Sequence, residues 1–269
     1  MTLDNLLNRT INVYNFEPRK GVPDLAGKFI IVTGGNAGLG YQSIVQLLPH
    51  NPAKLYLTAR SQAKYDAALE ALRRDIPDAD LSRVKFVQMD LSSFQSIKRA
   101  ADLVLADTSR IDVLMNNAGI MGAAPALTQD GYETHFGTNH MGHALFTKLL
   151  MPTLLRTAES TEVRIVNVSS GAFEMADAKT GYIDEKLVKT DMAKFKGSNG
   201  NMMSRYGLSK LANVMHAQAL AKHYPSITSV AIAPGRVKTG LLDNMYKEGN
   251  EKFYGYFQKF YDVVVGAKT

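Results

Sequence analysis

Four consecutive apolar residues, Phe29-Ile30-Ile31-Val32, run without a linker into Thr33-Gly34-Gly35-Asn36-Ala37-Gly38-Leu39-Gly40, and this leaves the chain little choice of architecture. A strand that is apolar on both faces needs cover on both faces, which a parallel sheet flanked by helices supplies. Starting with 28–33, β-rich runs recur at 54–58, 84–89, 111–116, 163–169 and 227–232. Amphipathic stretches at 65–74, 93–106, 137–155 and 207–224 lie between them. Alternating strands and helices predict an α/β fold with a doubly wound, Rossmann-type parallel sheet, because right-handed crossovers place helices on both faces. The 269 residues, 45% hydrophobic and 21% charged, suit one domain over 1–269, with 1–27 as an N-terminal extension.

Two patterns carry chemistry. Glycines after the first strand allow a tight turn and let backbone N–H groups approach a pyrophosphate, which the dipole of the next helix also favours. A ligand-free strand-to-helix turn would look the same in isolation. Far downstream, Tyr206 and Lys210 stand four residues apart in Tyr206-Gly207-Leu208-Ser209-Lys210, a spacing that puts both on one helical face. An ammonium close to a phenol favours the phenolate and brings its proton exchange nearer neutrality. Alone, the pair would sooner read as a half-buried tyrosine beside a solvated lysine.

Other classes of function are set aside by what the chain lacks. It contains no cysteine and no His-Glu-x-x-His, so metal-free chemistry is expected. The net charge of +6 comes from Lys and Arg interleaved with Asp and Glu, a solvated surface and not a nucleic-acid patch. No run approaches the roughly 18 apolar residues of a membrane span, and the N-terminus lacks a secretory pattern, so a cytoplasmic location is the expectation. The six histidines read as surface or packing residues, with His140 and His143 the two to inspect.

Taken in order, Thr33 to Gly40, Asp90-Leu91-Ser92, Asn116-Asn117-Ala118-Gly119, Asn139, Ser169-Ser170, Tyr206 to Lys210 and Pro234-Gly235-Arg236-Val237-Lys238-Thr239 resemble the short-chain dehydrogenase/reductases. The likeness is to their retinol-dehydrogenase-like and protochlorophyllide-reductase-like branch. It implies the strand order 3-2-1-4-5-6 and a pyrophosphate held by Gly34, Gly38, Leu39 and Gly40. It also implies adenine near Asp90, Asn117 and Gly119 along the adenosine, and Val237 and Thr239 at the nicotinamide carboxamide. Tyr206 would exchange the substrate proton. Lys210 would depress the tyrosine pKa and bind the nicotinamide ribose, Ser170 would hold the substrate oxygen, and Asn139 would bind a water linking Lys210 to solvent. Taken by themselves, Asp90 could be a helix cap and Asn139 an amide satisfied in a helix interface.

The second strand addresses cofactor choice. It ends Leu57-Thr58-Ala59-Arg60-Ser61-Gln62-Ala63-Lys64, without the carboxylate that usually receives an unphosphorylated ribose. Arg60 offers a planar fork and Lys64 a nearby point charge, so NADP(H) is the expected cofactor. The stretch from Ser170 to Tyr206 is long for the family, and 174–204 reads as an insertion near the active site. Aromatic residues in 241–262, Tyr246 to Tyr261, suit a lid over an apolar carbonyl or alcohol substrate. They read as well as the buried face of amphipathic helices. Relatives continue past Thr269 into a seventh strand, expected to be missing here, which would expose the sixth as an edge and favour a homo-oligomer. The expected activity is interconversion of a carbonyl and an alcohol. The alternative is an NADP(H)-binding scaffold or sensor without turnover.

Overall fold

The computed structural model describes residues 16–176, 183–191 and 202–235. Among them, six parallel strands form one sheet, as the alternation predicts, in the order β3-β2-β1-β4-β5-β6 that the family resemblance implies. The strands are β1 Phe29–Val32, β2 Lys54–Ala59, β3 Val84–Gln88, β4 Val113–Asn116, β5 Val163–Val168 and β6 Ile227–Ile232. Connecting helices are α1 Gly38–Leu47, α2 Gln62–Asp75, α3 Phe94–Asp107, α4 Gly142–Ala158 and α5 Met202–His223. No helix among the described residues is long and apolar enough to cross a membrane.

Strand alternation sorts β1 between two cores. Ile30 and Val32 pack with Leu55 and Leu57 against Ile44 of α1 and Leu72 of α2. Ile31 faces the other way, joining Tyr56 and Leu114 against Ile97 and Val104 of α3 and Phe146 and Leu150 of α4. Each fully buried large side chain contributes about 1.5–3 kcal/mol, so β1, apolar on both faces, is the spine that joins the two layers.

Carboxylates pin the N-terminal ends of the strands. Asp112, before β4, accepts from the Phe29 N–H at 2.9 Å, Lys28 Nζ at 3.1 Å and the Arg110 guanidinium at 2.8–2.9 Å. Asp107, closing α3, accepts from Lys54, Lys85 and the Tyr56 hydroxyl.

The helix expected over 137–155 is built differently. Thr134–Phe136 forms one helical turn, Gly137–Met141 widens into a π-helical turn closed by the Gly142 N–H on the Gly137 carbonyl, and α4 follows. Gly142 sits against the Leu91 carbonyl, where a Cβ would come within 2.5 Å, so only a residue without one fits at the junction. The start of α5 is also earlier than the pattern suggests. Met202 opens it, which sets Tyr206 in its second turn. Within the insertion, Glu185–Val188 forms a turn of helix whose Val188 packs on Phe136, Leu208 and Ala212. The lid at 241–262, the seventh-strand expectation, Val237, Thr239, residues 1–15, 177–182 and 192–201 lie outside the described residues.

Candidate active site

The strand order reverses between β1 and β4, and their C-terminal ends open the crevice where ligands bind in folds of this kind. Thr33, completely buried, organises it. Its hydroxyl oxygen accepts the Asn117 N–H at 2.9 Å and the Ala118 N–H at 3.0 Å, which fills both lone pairs. The hydroxyl proton therefore goes to His143 Nε2, 2.8 Å away, and the imidazole's own proton sits on Nδ1, donated to the Asn139 carbonyl at 3.0 Å. Burial pushes the His143 pKa down to about 3, so the ring is neutral. Asn117 ties β4 back to β1 by donating Nδ2–H to the Thr33 carbonyl at 2.8 Å.

The glycine turn is shaped to admit an anion. Gly34 and Gly38 have φ of +64° and +56°, a left-handed conformation that costs other residues energy. A Cβ on Gly40 would lie 2.5 Å from both Asn117 Nδ2 and the Gly34 carbonyl oxygen. Ala37, at the N-cap of α1, gives no side-chain cap to the helix's first N–H groups, which leaves them to the space above. A pyrophosphate fits this cradle of Gly34, Gly38, Leu39 and Gly40 by its chemistry.

Across the crevice, α5 places Tyr206 and Lys210 on one buried face. Lys210 Nζ donates to the Val168 carbonyl at 3.0 Å and lies 5.6 Å from the centre of the Tyr206 ring. Burial lowers the lysine pKa to about 8. The phenol departs from the simple i, i+4 expectation. Burial raises its pKa, and the group that pulls it back is the hydrogen bond with Ser170, not the ammonium, which lies over the ring face and bonds a carbonyl. The neighbouring serines divide as strand alternation suggests: buried Ser169 donates to the Lys210 carbonyl at 2.8 Å, while Ser170 turns to the phenol and caps the Ala172 N–H. Asn139 donates both Nδ2 hydrogens, to the Ile120 carbonyl at 3.0 Å and Ser209 Oγ at 3.0 Å, and its Oδ1 accepts the Ile120 N–H at 2.8 Å. It anchors the loop after β4 to α5. A water held by Asn139 would take a remaining lone pair, on Oδ1 or on the backbone carbonyl that accepts from His143.

A family model described as short chain dehydrogenase matches residues 28–182, more than half of the chain. The chain belongs to the short-chain dehydrogenase/reductase family. It is 38% identical over 226 residues to an uncharacterized oxidoreductase of Schizosaccharomyces pombe, covering 82% of this chain and 63% of that protein. It is 34% identical over 224 residues to retinol dehydrogenase 12 of Mus musculus, covering 82% of this chain and 65% of that one. The chain thus spans about two thirds of the length of these relatives. A solved structure of an uncharacterized protein from Mycobacterium paratuberculosis superposes with a TM-score of 0.66 at 29% identity, over 88% of this chain and 79% of that one.

In this short-chain dehydrogenase/reductase the remaining expected residues fall around the same crevice. Arg60 leaves the end of β2 and Lys64 stands in the first turn of α2, both exposed and neither in an ion pair among the described residues. Asp90 is held locally: one carboxylate oxygen accepts the Ser92 N–H at 2.9 Å and the Ser92 hydroxyl at 2.7 Å, while the N-cap of α3 is Ser93. Gly119 lies where a Cβ would crowd Asn139 Oδ1 at 3.3 Å and touch Lys210 Nζ at 3.5 Å, so the loop passes close to the lysine.

Sequence reasoning missed a buried charge cluster beside the tyrosine, formed by Glu133, His135 and Arg205. Treating the histidines as surface or packing groups also fails for His135 and His143, which are buried and hydrogen-bonded. Glu-x-His shortly before Asn139, with an arginine flanking the tyrosine, was the available signal. Its partners lie 72 positions apart, so spacing alone does not join them.

Proposed function

We propose that the chain is an NADP(H)-dependent oxidoreductase that interconverts a carbonyl, ketone or aldehyde, and an alcohol on a small to medium apolar substrate. Membership of a family of nicotinamide-dependent oxidoreductases supports the reaction class. The single observation that carries the reading is the convergence of Ser170, Tyr206 and a lysine of depressed pKa at the mouth of the glycine-turn crevice. Bound there, the dinucleotide supplies or accepts hydride at the substrate carbon. In the reductive direction, the Tyr206 hydroxyl gives its proton to the substrate oxygen while the Ser170 hydroxyl donates a hydrogen bond to that oxygen as charge builds on it. Lys210, with a pKa of about 8, carries a proton at neutral pH and surrenders it readily, which suits it to restoring the phenol. Oxidation of the alcohol reverses each transfer.

The apolar substrate class is supported by the surroundings of the phenol, where Met121 is buried against Tyr206 and Ala172, Met202 and Met203 pack around them. Methionine walls adapt to irregular apolar shapes. The preference for the phosphorylated cofactor rests on Arg60 and Lys64 at the end of β2. A panel of carbonyls and alcohols, followed through the absorbance of reduced nicotinamide with NADPH and NADH in parallel, tests the whole reading. Turnover that disappears in Tyr206→Phe is the expected result. Binding of NADPH with no turnover on any member of the panel would favour the scaffold or sensor alternative.

A further inference from the structure

Beside the Tyr206 ring lies a cluster of charges that the proton transfer does not use. Glu133, His135 and Arg205 are each at most 2% exposed. Arg205 NH1 donates to Glu133 Oε1 at 2.8 Å and NH2 to the Ala123 carbonyl at 3.0 Å. The second carboxylate oxygen of Glu133 accepts the Phe136 N–H at 2.8 Å, at the head of the turn that leads to Asn139. His135 Nε2 accepts the Ala123 N–H at 3.3 Å, so its proton is on Nδ1, which donates to Glu133 Oε1 at 3.0 Å. The guanidinium and carboxylate are opposite charges in direct contact. The His135 ring stands edge-on to the Tyr206 ring, centroids 6.2 Å apart.

Three segments meet in this cluster: the loop after β4, the turn entering the Asn139 segment, and the opening of α5. All three border the phenol. Ala123 lies two residues past Met121, which packs on Tyr206, and Arg205 is the residue before Tyr206. Stability alone does not account for such a group, because a buried ion pair is often no better than apolar side chains of the same volume. Arg205 Nε is moreover buried without a partner among the described residues, a further cost. What a buried fork and carboxylate add is direction. Hydrogen bonds of fixed length admit one relative placement of the three segments, where apolar packing would tolerate a slip.

We propose that Arg205 is a positioning residue: through Glu133 and the Ala123 carbonyl it sets the Tyr206 hydroxyl against the Met121 wall, and so governs the rate of proton transfer. This rests on the reading of Tyr206 as the proton donor. In Arg205→Lys, one ammonium reaches either Glu133 or Ala123 but cannot bridge both. The double variant Arg205→Met with Glu133→Leu removes the charges and fills the space with apolar atoms. Thermal midpoint, NADPH dissociation constant, KM and kcat are measured for wild type and both variants on a substrate identified by the panel. The expected result is a kcat lowered about tenfold in Arg205→Lys with the NADPH dissociation constant unchanged, and a double variant at least as heat-stable as wild type whose kcat is not restored. A folded variant of either kind that turns over at the wild-type rate overturns the proposal, as does a kcat loss matched by an equal loss of NADPH binding. If the double variant fails to fold, Arg205→Lys decides alone. Wild type without turnover sinks the proposed function and this inference together, whereas wild type with turnover and an unaffected Arg205→Lys sinks only the inference.

Discussion

The two ends of the parallel sheet treat charge in opposite ways. At the N-terminal ends, carboxylates are surrounded by cations. Burial alone would raise the Asp107 pKa, but hydrogen bonds from Lys85, Lys54 and Tyr56 outweigh it and hold the carboxyl well below the usual range, and Arg110, the Phe29 N–H and Lys28 do the same for Asp112. At the C-terminal ends, burial outweighs what opposes it. Among the described residues Lys210 Nζ bonds a carbonyl oxygen, His143 and His140 are pushed down to about 3 and about 4, and the Tyr206 phenol is pushed up. The side chains of Asn116 and Asn167 meet there at 3.0 Å, each leaving one buried polar atom unpartnered among the described residues. Paired charge at one end holds strands together. Desolvated groups at the other end have their proton affinities displaced, Lys210 toward neutrality and His140, His143 and Tyr206 away from it.

Lys210→Met should show the contrast at its largest. Its removal is expected to lower kcat on the order of 10³-fold, while the fold becomes more stable at pH 7. The folded-state pKa of about 8 lies below the ordinary 10.5, so the unfolded chain binds more protons between those values and wild-type stability rises with pH through that window. At pH 7 the buried ammonium therefore costs on the order of 2–4 kcal/mol at about 1.4 kcal/mol per pKa unit. Asn213 Nδ2 still donates to the Val168 carbonyl at 3.2 Å, so the methionine leaves no orphaned acceptor. Thermal melts at pH 7 and pH 10 check this: a gain at pH 7 that shrinks toward pH 10 is expected, and equal melting points at pH 7 would count against uncompensated burial.

At the opposite end the signs reverse. Asp112→Asn should destabilise by about 2–4 kcal/mol, below the full cost of breaking a buried pair because Lys28 and Arg110 are 28% and 39% exposed. Turnover and NADPH affinity should be unchanged. Denaturant unfolding and steady-state kinetics on one preparation test this, and a fall in kcat of similar size would erase the distinction between the ends.

The histidines extend it to acid. His140 has an ordinary pKa of 6.5 and a folded value of about 4, lowered by burial and then by His216, with Asn213 acting against them. The unfolded chain therefore takes up more protons between those values, and stability present above pH 6.5 is lost as pH falls. His140→Phe should recover about 1–2 kcal/mol at pH 5 and nothing at pH 8. A pH-independent difference between the melting curves would show that packing, not protonation, is at issue.

How far the residues announced all this depends on the range of the interaction. The parallel sheet and its glycine turn were readable because β1 and Gly34 to Gly40 are local patterns whose backbone consequences are strong, whereas the strand order came with the family resemblance. The pairing of Tyr206 with Lys210 was readable because the two share a helical face, while Ser170, two residues past the end of β5, came with the family resemblance. The electrostatics were not readable. Tyr206 and Lys210 at i and i+4 suggested a phenol tuned by an ammonium, but where Nζ points depends on the Val168 carbonyl across the fold, and desolvation depends on everything packed around it. The 137–155 periodicity likewise cannot reveal a π-helical turn, since one extra residue per turn hardly alters the apolar pattern. Glu133 and Arg205 stayed hidden because an acid and a base far apart in a chain that is 21% charged look like surface.

Arg60 tests whether the contrast reaches the cofactor. It stands at the C-terminal end of β2, exposed and without an ion pair among the described residues, while Lys54 at the other end of the same strand bonds Asp107 at 2.9 Å. One strand thus carries a satisfied cation at its start and an unsatisfied one at its finish. If the finish is kept for an anion of the ligand, Arg60→Ala should weaken NADPH binding about tenfold, a low figure for a charged hydrogen bond because water competes at an exposed site. NADH, which lacks the 2′-phosphate, should bind as before, and the NADPH penalty should fade as salt rises and screens the wild-type attraction. Titrations of both cofactors at low and high ionic strength separate the cases. Equal losses for NADPH and NADH would make Arg60 a structural residue and leave the phosphate preference without support.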